Sequence, residues 1–137
     1  MSINQTARNF ALVVLIASLF TLVGCSRLGS NSESSSVNGK NASITADPNP
    51  IRVCDGSAVG VTRLSWTSIG PKQVEVHVGS PDGVLFAQTA PTASSETGKW
   101  VTNGMSFYLQ DTSDGKPLNA ENTLATTSVK VTSDGCH

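Results

Sequence analysis

The chain has 137 residues, of which 14% are charged, and a formal net charge of −1. That length allows one domain of ordinary size, and the near-neutral balance excludes the basic stripe of an electrostatic nucleic-acid binder. With four Phe, two Trp and one Tyr, any core must be built mainly from Val, Leu, Ile and Ala.

The first 24 residues carry one charged side chain, Arg8. Residues 10–23 form a 14-residue stretch without charge. That is short of the roughly 20 apolar residues a membrane-spanning helix needs, and it suits the apolar region of a signal peptide. Leu22-Val23-Gly24-Cys25 follows at once. This run resembles the lipobox of bacterial lipoproteins at every position. The resemblance implies a diacylglycerol thioether on Cys25, cleavage after Gly24 and, in many lineages, acylation of the new amine. It also implies a membrane partner held through the N-terminal lipid, because two or three acyl chains anchor firmly where one does not. Ser26 follows Cys25. By resemblance to the sorting pattern of enteric bacteria, that favours the outer membrane if the host is Gram-negative. Removal of 1–24 takes Arg8 and no acidic residue. The 9 basic residues become 8 beside 10 acidic ones, a net charge of −2.

Residues 25–43 then read as the lipidated Cys and a Ser-rich linker. There is little to bury and no period, so 26–43 is expected to be flexible. Eighteen such residues span about 20–25 Å on average.

From Ile44 the texture changes. Short apolar alternations are separated by Gly, Pro, Asn and Asp at intervals of about 8–12 residues, the rhythm of an all-β sandwich. No window keeps a 3.6-residue apolar period, so few helices or none are expected. The predicted strands are 44–46, 51–53, 59–67, 73–78, 85–88, 98–102, 105–111 and 124–132. Pro48-Asn49-Pro50 breaks the first strand, and Gly70-Pro71, Pro81-Asp82-Gly83, Asn103-Gly104 and Asp114-Gly115 read as turns. Alternation turns Leu64, Trp66, Val74, Val76, Val78, Phe107, Leu109, Val129 and Val131 inward. It turns Glu75, His77, Ser106, Tyr108, Gln110, Ser128 and Lys130 outward.

Leu64-Ser65-Trp66 resembles the second strand of fibronectin type III and related Ig-like domains. The segments ADPNPIRVCDG, VGVTRLSWTS, VEVHVGSPDG, TGKWVT and FYLQD resemble an Ig-like module of bacterial exported and glycan-related proteins. The expected fold is therefore an Ig-like antiparallel β-sandwich of about seven strands over 44–137, after a cleaved signal peptide and a flexible tether. In such sandwiches the second half of the first strand runs parallel beside the last. That places Cys54 and Cys136 at the same end of neighbouring strands, where they could bridge. Two unpaired thiols are the alternative.

Few residues suit catalysis. His77 and His137 are the only histidines, and there is no Gly-x-Ser-x-Gly elbow. The four His and Cys left after lipidation do not have zinc-ligand spacing. Asp111-Thr-Ser-Asp114-Gly115 lacks the alternating acidic series of a calcium loop and reads as a turn. No enzyme activity, cofactor or metal is expected. The candidate binding surface is the outward face carrying Glu75, His77, Tyr108, Gln110 and Lys130. There an aromatic ring flanked by hydrogen-bonding groups suits an envelope protein or a glycan. Trp100 is a second candidate contact. Two functions follow as expectations: an interaction or structural module of the cell envelope, or a carbohydrate-binding accessory of a glycan-processing system.

Overall fold

Two-residue alternation sets the faces of the strands. Leu64, Trp66 and Ser68 are buried while Arg63, Ser65 and Thr67 face solvent, and Ala42, Ile44 and Ala46 repeat the pattern on the neighbouring strand. The structure, a computed structural model, describes Ser35–Ser36 and residues 40–137. The expected signal peptide and lipidated Cys25 lie outside the described residues.

Among the described residues there are ten strands: β1 Ser35–Ser36, β2 Ala42–Asp47, β3 Ile51–Arg52, β4 Arg63–Ser68, β5 Val74–Val78, β6 Val84–Thr89, β7 Ala93–Glu96, β8 Met105–Asp111, β9 Thr123–Val129 and β10 Val131–Thr132. One sheet has the order β1-β9-β8-β5-β6 and faces a second with the order β2-β4-β7. Every pairing in these two sheets is antiparallel, and a short parallel pair, β3 with β10, joins their rims. The molecule is an all-β sandwich, and its core is the row of inward residues from both sheets. Ile44, Leu64, Val74, Val76, Val101, Phe107, Leu109, Ala125 and Val129 have no exposed surface at all. Burying each aliphatic or Phe side chain in this set is worth about 1.5–3 kcal/mol against leaving it in water.

The rim is tied by one side chain and one covalent bond. Pro48 and Pro50 cannot continue the ladder of β2. Asn49 between them donates from Nδ2 to the Ser128 carbonyl at 2.9 Å and accepts from the Lys130 N–H at 2.9 Å. The chain is thereby delivered to β3, where Ile51 lies beside Val131 and Arg52 beside Thr132. Cys54 and Cys136 follow directly and are disulfide-bonded, with Cα atoms 5.4 Å apart. Gly60 sits against this rim. A Cβ there would stand 2.4 Å from Ile51 Cγ2, so no larger residue fits without moving β3.

Several boundaries differ from the expectation. β2 begins at Ala42, and Ser35–Ser36, within the segment read as linker, pairs with Ala125 and Thr126 of β9. Residues 59–62 are not strand apart from a single bridge between Gly60 and Val101. The expected strand 98–102 reduces to that same bridge. The strand that does pair with β4 is β7, whose sequence Ala-Ser-Ser-Glu offers no large apolar residue to read. Residues 124–132 are two strands, divided at Lys130, where the backbone leaves one sheet for β3.

The turn after β8 is built around Asp111, which is buried. Its Oδ1 accepts the Ser113 N–H at 3.0 Å, and its Oδ2 accepts from Lys116. Desolvation pushes the carboxyl up, but hydrogen bonds from Lys116 and Ser113 outweigh it and hold the carboxyl below its usual value of 3.8. A carboxylate with a depressed folded pKa contributes stability that is present above the unfolded value and lost as pH falls through the folded one. Asp111→Asn is therefore expected to lower neutral-pH stability by about 1–3 kcal/mol, the scale of lost hydrogen bonds to a charged group. The gap from the parent protein should begin to narrow below about pH 4 and close only as pH falls through the lowered folded value. Urea denaturation at pH 7 and pH 3 checks this; an equal deficit at both would refute it.

Candidate functional site

The outer face of the five-stranded sheet carries two cross-strand rows. Leu85, His77, Tyr108 and Thr126 stand opposite one another on β6, β5, β8 and β9. Gln88, Glu75, Gln110 and Thr123 form the adjacent row. Glu75, His77 and Tyr108 are thus brought together, as expected from alternation.

His77 is on the outer face yet only 3% exposed, which corrects its expected outward accessibility. The β5–β6 turn folds over it: Nδ1 lies 2.8 Å from the Gly83 carbonyl, and Nε2 lies 2.8 Å from Glu75 Oε2. A hydrogen bond at each nitrogen takes an N–H on each, or one N–H and a protonated Glu75. The second Glu75 oxygen accepts from Gln88 Nε2 at 3.0 Å. Glu75 and His77 therefore satisfy each other, and neither presents a free group to a nucleophile.

Gln110 is the larger correction, because it has no exposed surface. The ladder between β8 and β9 shifts register between Leu109 and Gln110, so Leu109 faces Ala125 while Gln110 faces Thr123. Gln110 Nε2 donates to Thr123 Oγ1 at 2.6 Å, and Thr123 Oγ1 in turn donates to the Asn119 carbonyl at 2.9 Å. The loop ahead of β9 thus closes over this end of the row. Gln110 Oε1 is buried without a partner among the described residues. Lys130 is exposed but stands where β9 gives way to β10. Its backbone is committed to Asn49 and Ile51, and it lies beyond the Ser106–Ser128 pair rather than beside Tyr108. Of the five predicted surface residues, four share the two rows and Lys130 is displaced; of the four, His77 and Gln110 are buried. The other two, Glu75 and Tyr108, are partly exposed.

Trp100 is 39% exposed, but its ring is not isolated. It lies 6.0 Å from Phe86 and 6.1 Å from Phe107, and Phe86 and Phe107 are themselves 6.0 Å apart, edge to face. Beside this cluster a groove of about 270 Å³ opens between Val78, Val84, Leu85, Phe86, Trp100 and Met105. Val84 and Leu85, 76% and 50% exposed, form its outer lip. Reading by alternation missed this groove. Its signal is Val84-Leu85-Phe86, three consecutive apolar residues that a two-faced strand cannot all bury.

At the neighbouring rim Asp55 accepts from Lys99 at 2.5 Å and from Ser57. Those donors hold its carboxyl well below the usual carboxylate range. The pair is about half exposed on both sides, and such ion pairs add little stability. Among the described residues no group of three or more His, Cys, Asp or Glu side chains could hold a metal ion. In the Asp111–Gly115 turn, Lys116 occupies the Asp111 carboxylate. Among the described residues no helix is long and apolar enough to cross a membrane. No protein-family model, curated protein or solved structure matches the chain.

Proposed function

We propose that this chain is a lipid-anchored protein of the bacterial cell envelope and that its sandwich is an interaction module for an envelope protein or a glycan. The observation that carries this is Leu22-Val23-Gly24-Cys25, placed directly after a charge-free apolar run. The Cys54–Cys136 bridge supports an exported location, since structural disulfides persist in oxidising compartments. The mutual pairing of Glu75 and His77 favours recognition over catalysis. Ser26 after Cys25 favours the outer membrane in a Gram-negative host.

The anchor has a direct test. Metabolic labelling with a clickable fatty acid is expected to mark the wild-type protein and leave Cys25→Ser unlabelled. Cys25→Ser should also move from the membrane fraction to the soluble one. A Cys25→Ser protein that is still processed and membrane-retained would overturn the lipid anchor.

A further inference from the structure

We propose that the end of the sandwich carrying Val84, Leu85 and Trp100 lies against the bilayer that holds Cys25, with those three side chains at the lipid interface. The inference rests on the lipid anchor proposed above.

The exposed apolar side chains are unevenly placed. Five large ones are exposed among the described residues: Val61, Ile69, Val84, Leu85 and Trp100. Ile69 stands alone at the end where Lys40 and Asp111 lie. The other four are at the opposite end. Val84 pairs with Val78, the last residue of β5, and Leu85 and Trp100 line one groove with Val78 and Met105. Val61 follows Gly60, which bridges to Val101 beside Trp100. The exposed area of Val84, Leu85 and Trp100 is on the order of 300 Å², the size of a functional patch on a monomer. Apart from the Trp100 indole, no side chain lining the groove carries an N–H, an O–H or an oxygen. A sugar needs placed donors and acceptors, whereas a lipid interface needs none.

The chain leads its anchor to the same end. Ser36 lies opposite Ala125 and Ser35 opposite Thr126. Followed toward its N-terminus, the chain therefore runs along β9 toward Val129, which stands opposite Met105 of the groove. Residues 25–34 alone separate β1 from the lipid at Cys25. Ten residues reach at most about 33–36 Å. That is close to the width of a domain of this size, whose radius of gyration is about 13 Å. The anchor thus holds the sandwich within about one domain width of the bilayer and leaves β1 toward the groove end.

The contact is shallow. Trp favours the membrane–water interface, where its ring meets lipid and its N–H meets water. Strand backbone cannot follow the side chains down, because a spare N–H or C=O is left unsatisfied in hydrocarbon. Asp82 in the β5–β6 turn and Lys130 after β9 are exposed at the same end and fit the headgroup level. Entry of about 5–10 Å, as for other interfacial segments, meets all of these demands.

Ile69 and Val84 make a matched pair for the test, being 77% and 76% exposed at opposite ends. The full chain, produced and processed in cells, is purified in detergent with an environment-sensitive fluorescent residue at position 84 or at position 69. Both probes replace mostly exposed side chains, so thermal midpoints should stay at the wild-type value. Each protein is reconstituted into phospholipid vesicles with or without bromine on the acyl chains. Bromine should quench the probe at 84 by about twofold or more and leave the probe at 69 almost unchanged, since only the former enters the acyl boundary. No quenching at 84, equal quenching at both positions, or stronger quenching at 69 would each overturn the proposal. A mature chain with Cys25→Ser and a polyhistidine tag ahead of residue 25, held on nickel-chelating lipid, should show the same contrast. If it does while the natural chain takes no fatty-acid label, only the lipid anchor has failed. If the label is present and the contrast is absent, only the proposed membrane face has failed.

Discussion

Phe107→Ala is expected to destabilise the protein by about 3–5 kcal/mol, the range for removing a fully buried aromatic side chain. Among the described residues Phe107 is the largest side chain with no exposed surface. It lies opposite Val78 on β5 and Thr127 on β9, and its ring meets both Phe86 and Trp100. The truncation therefore removes more than one residue's burial. It takes away the surface on which the rest of the aromatic cluster rests, including Trp100, which the backbone does not hold in a strand. For a domain of this size each kcal/mol shifts the thermal midpoint by roughly 4–8 °C, so a fall of at least about 12 °C is expected. Near-ultraviolet circular dichroism should lose Trp signal together with the midpoint shift. A loss below about 1 kcal/mol would mean that Phe107 is not the packing centre. Phe107→Leu keeps most of the volume and should recover much of the loss.

Cys54→Ser with Cys136→Ser is expected to cost about 4 kcal/mol in the chain-entropy description, because the bridge closes a loop with a sequence separation of 82. The effect acts largely through the unfolded chain, which gains freedom when the loop is released. It acts locally too. β10 is two residues long and is held by its parallel partner β3, so the bridge is what pins the last turn to the rim. Hydrogen exchange in the double variant should therefore rise first at Val53 and Val131–Thr132, ahead of β4, β5 and β8. Chemical denaturation of the wild type with and without reductant gives an independent measure of the same loss. A change within 1 kcal/mol in both experiments would show that the parallel pair closes the rim without the covalent bond. Such a large share of stability in one bond is consistent with a domain of about 100 described residues and few aromatics, whose core has modest reserve.

Legibility followed periodicity. β5 and β8 were readable to within a residue, and β4 in its faces though its start was placed four residues early, because each buries one face and exposes the other. A one-residue slip in any of them would put Val or Leu into water. β7 was not readable. It is an edge strand whose residues are Ala, Ser, Ser and Glu, and its place is set by the ladder it completes on β4, not by burial of its own. The stretch 98–102 looked like a strand because Trp100 and Val101 are apolar. Its Val101 is buried through one bridge, and its Trp100, 39% exposed, is held by ring contacts, with no ladder on either side.

The candidate surface divided for the same physical reason. Glu75, His77 and Tyr108 came together because alternation within a strand is a local property. Gln110 came in beside Glu75 in the same way but is buried, because Thr123 and the closing loop at Asn119 belong to the partner strand. Lys130 did not, because the chain changes sheets at that residue, guided by Asn49 some 80 positions earlier.

By itself the sequence determined the all-β class, the inward residues of the central strands, the turns at Gly and Pro, and the parallel end placement of Cys54 and Cys136. All but the last rest on local periodicity and backbone chemistry, and the Cys placement on resemblance to a known strand order. Only the tertiary structure decided which polar side chains stay in water, where the edges lie, and which apolar residues are left without cover. Those outcomes depend on what stands opposite. Val84 and Leu85 are consecutive apolar residues of β6, and both are left exposed.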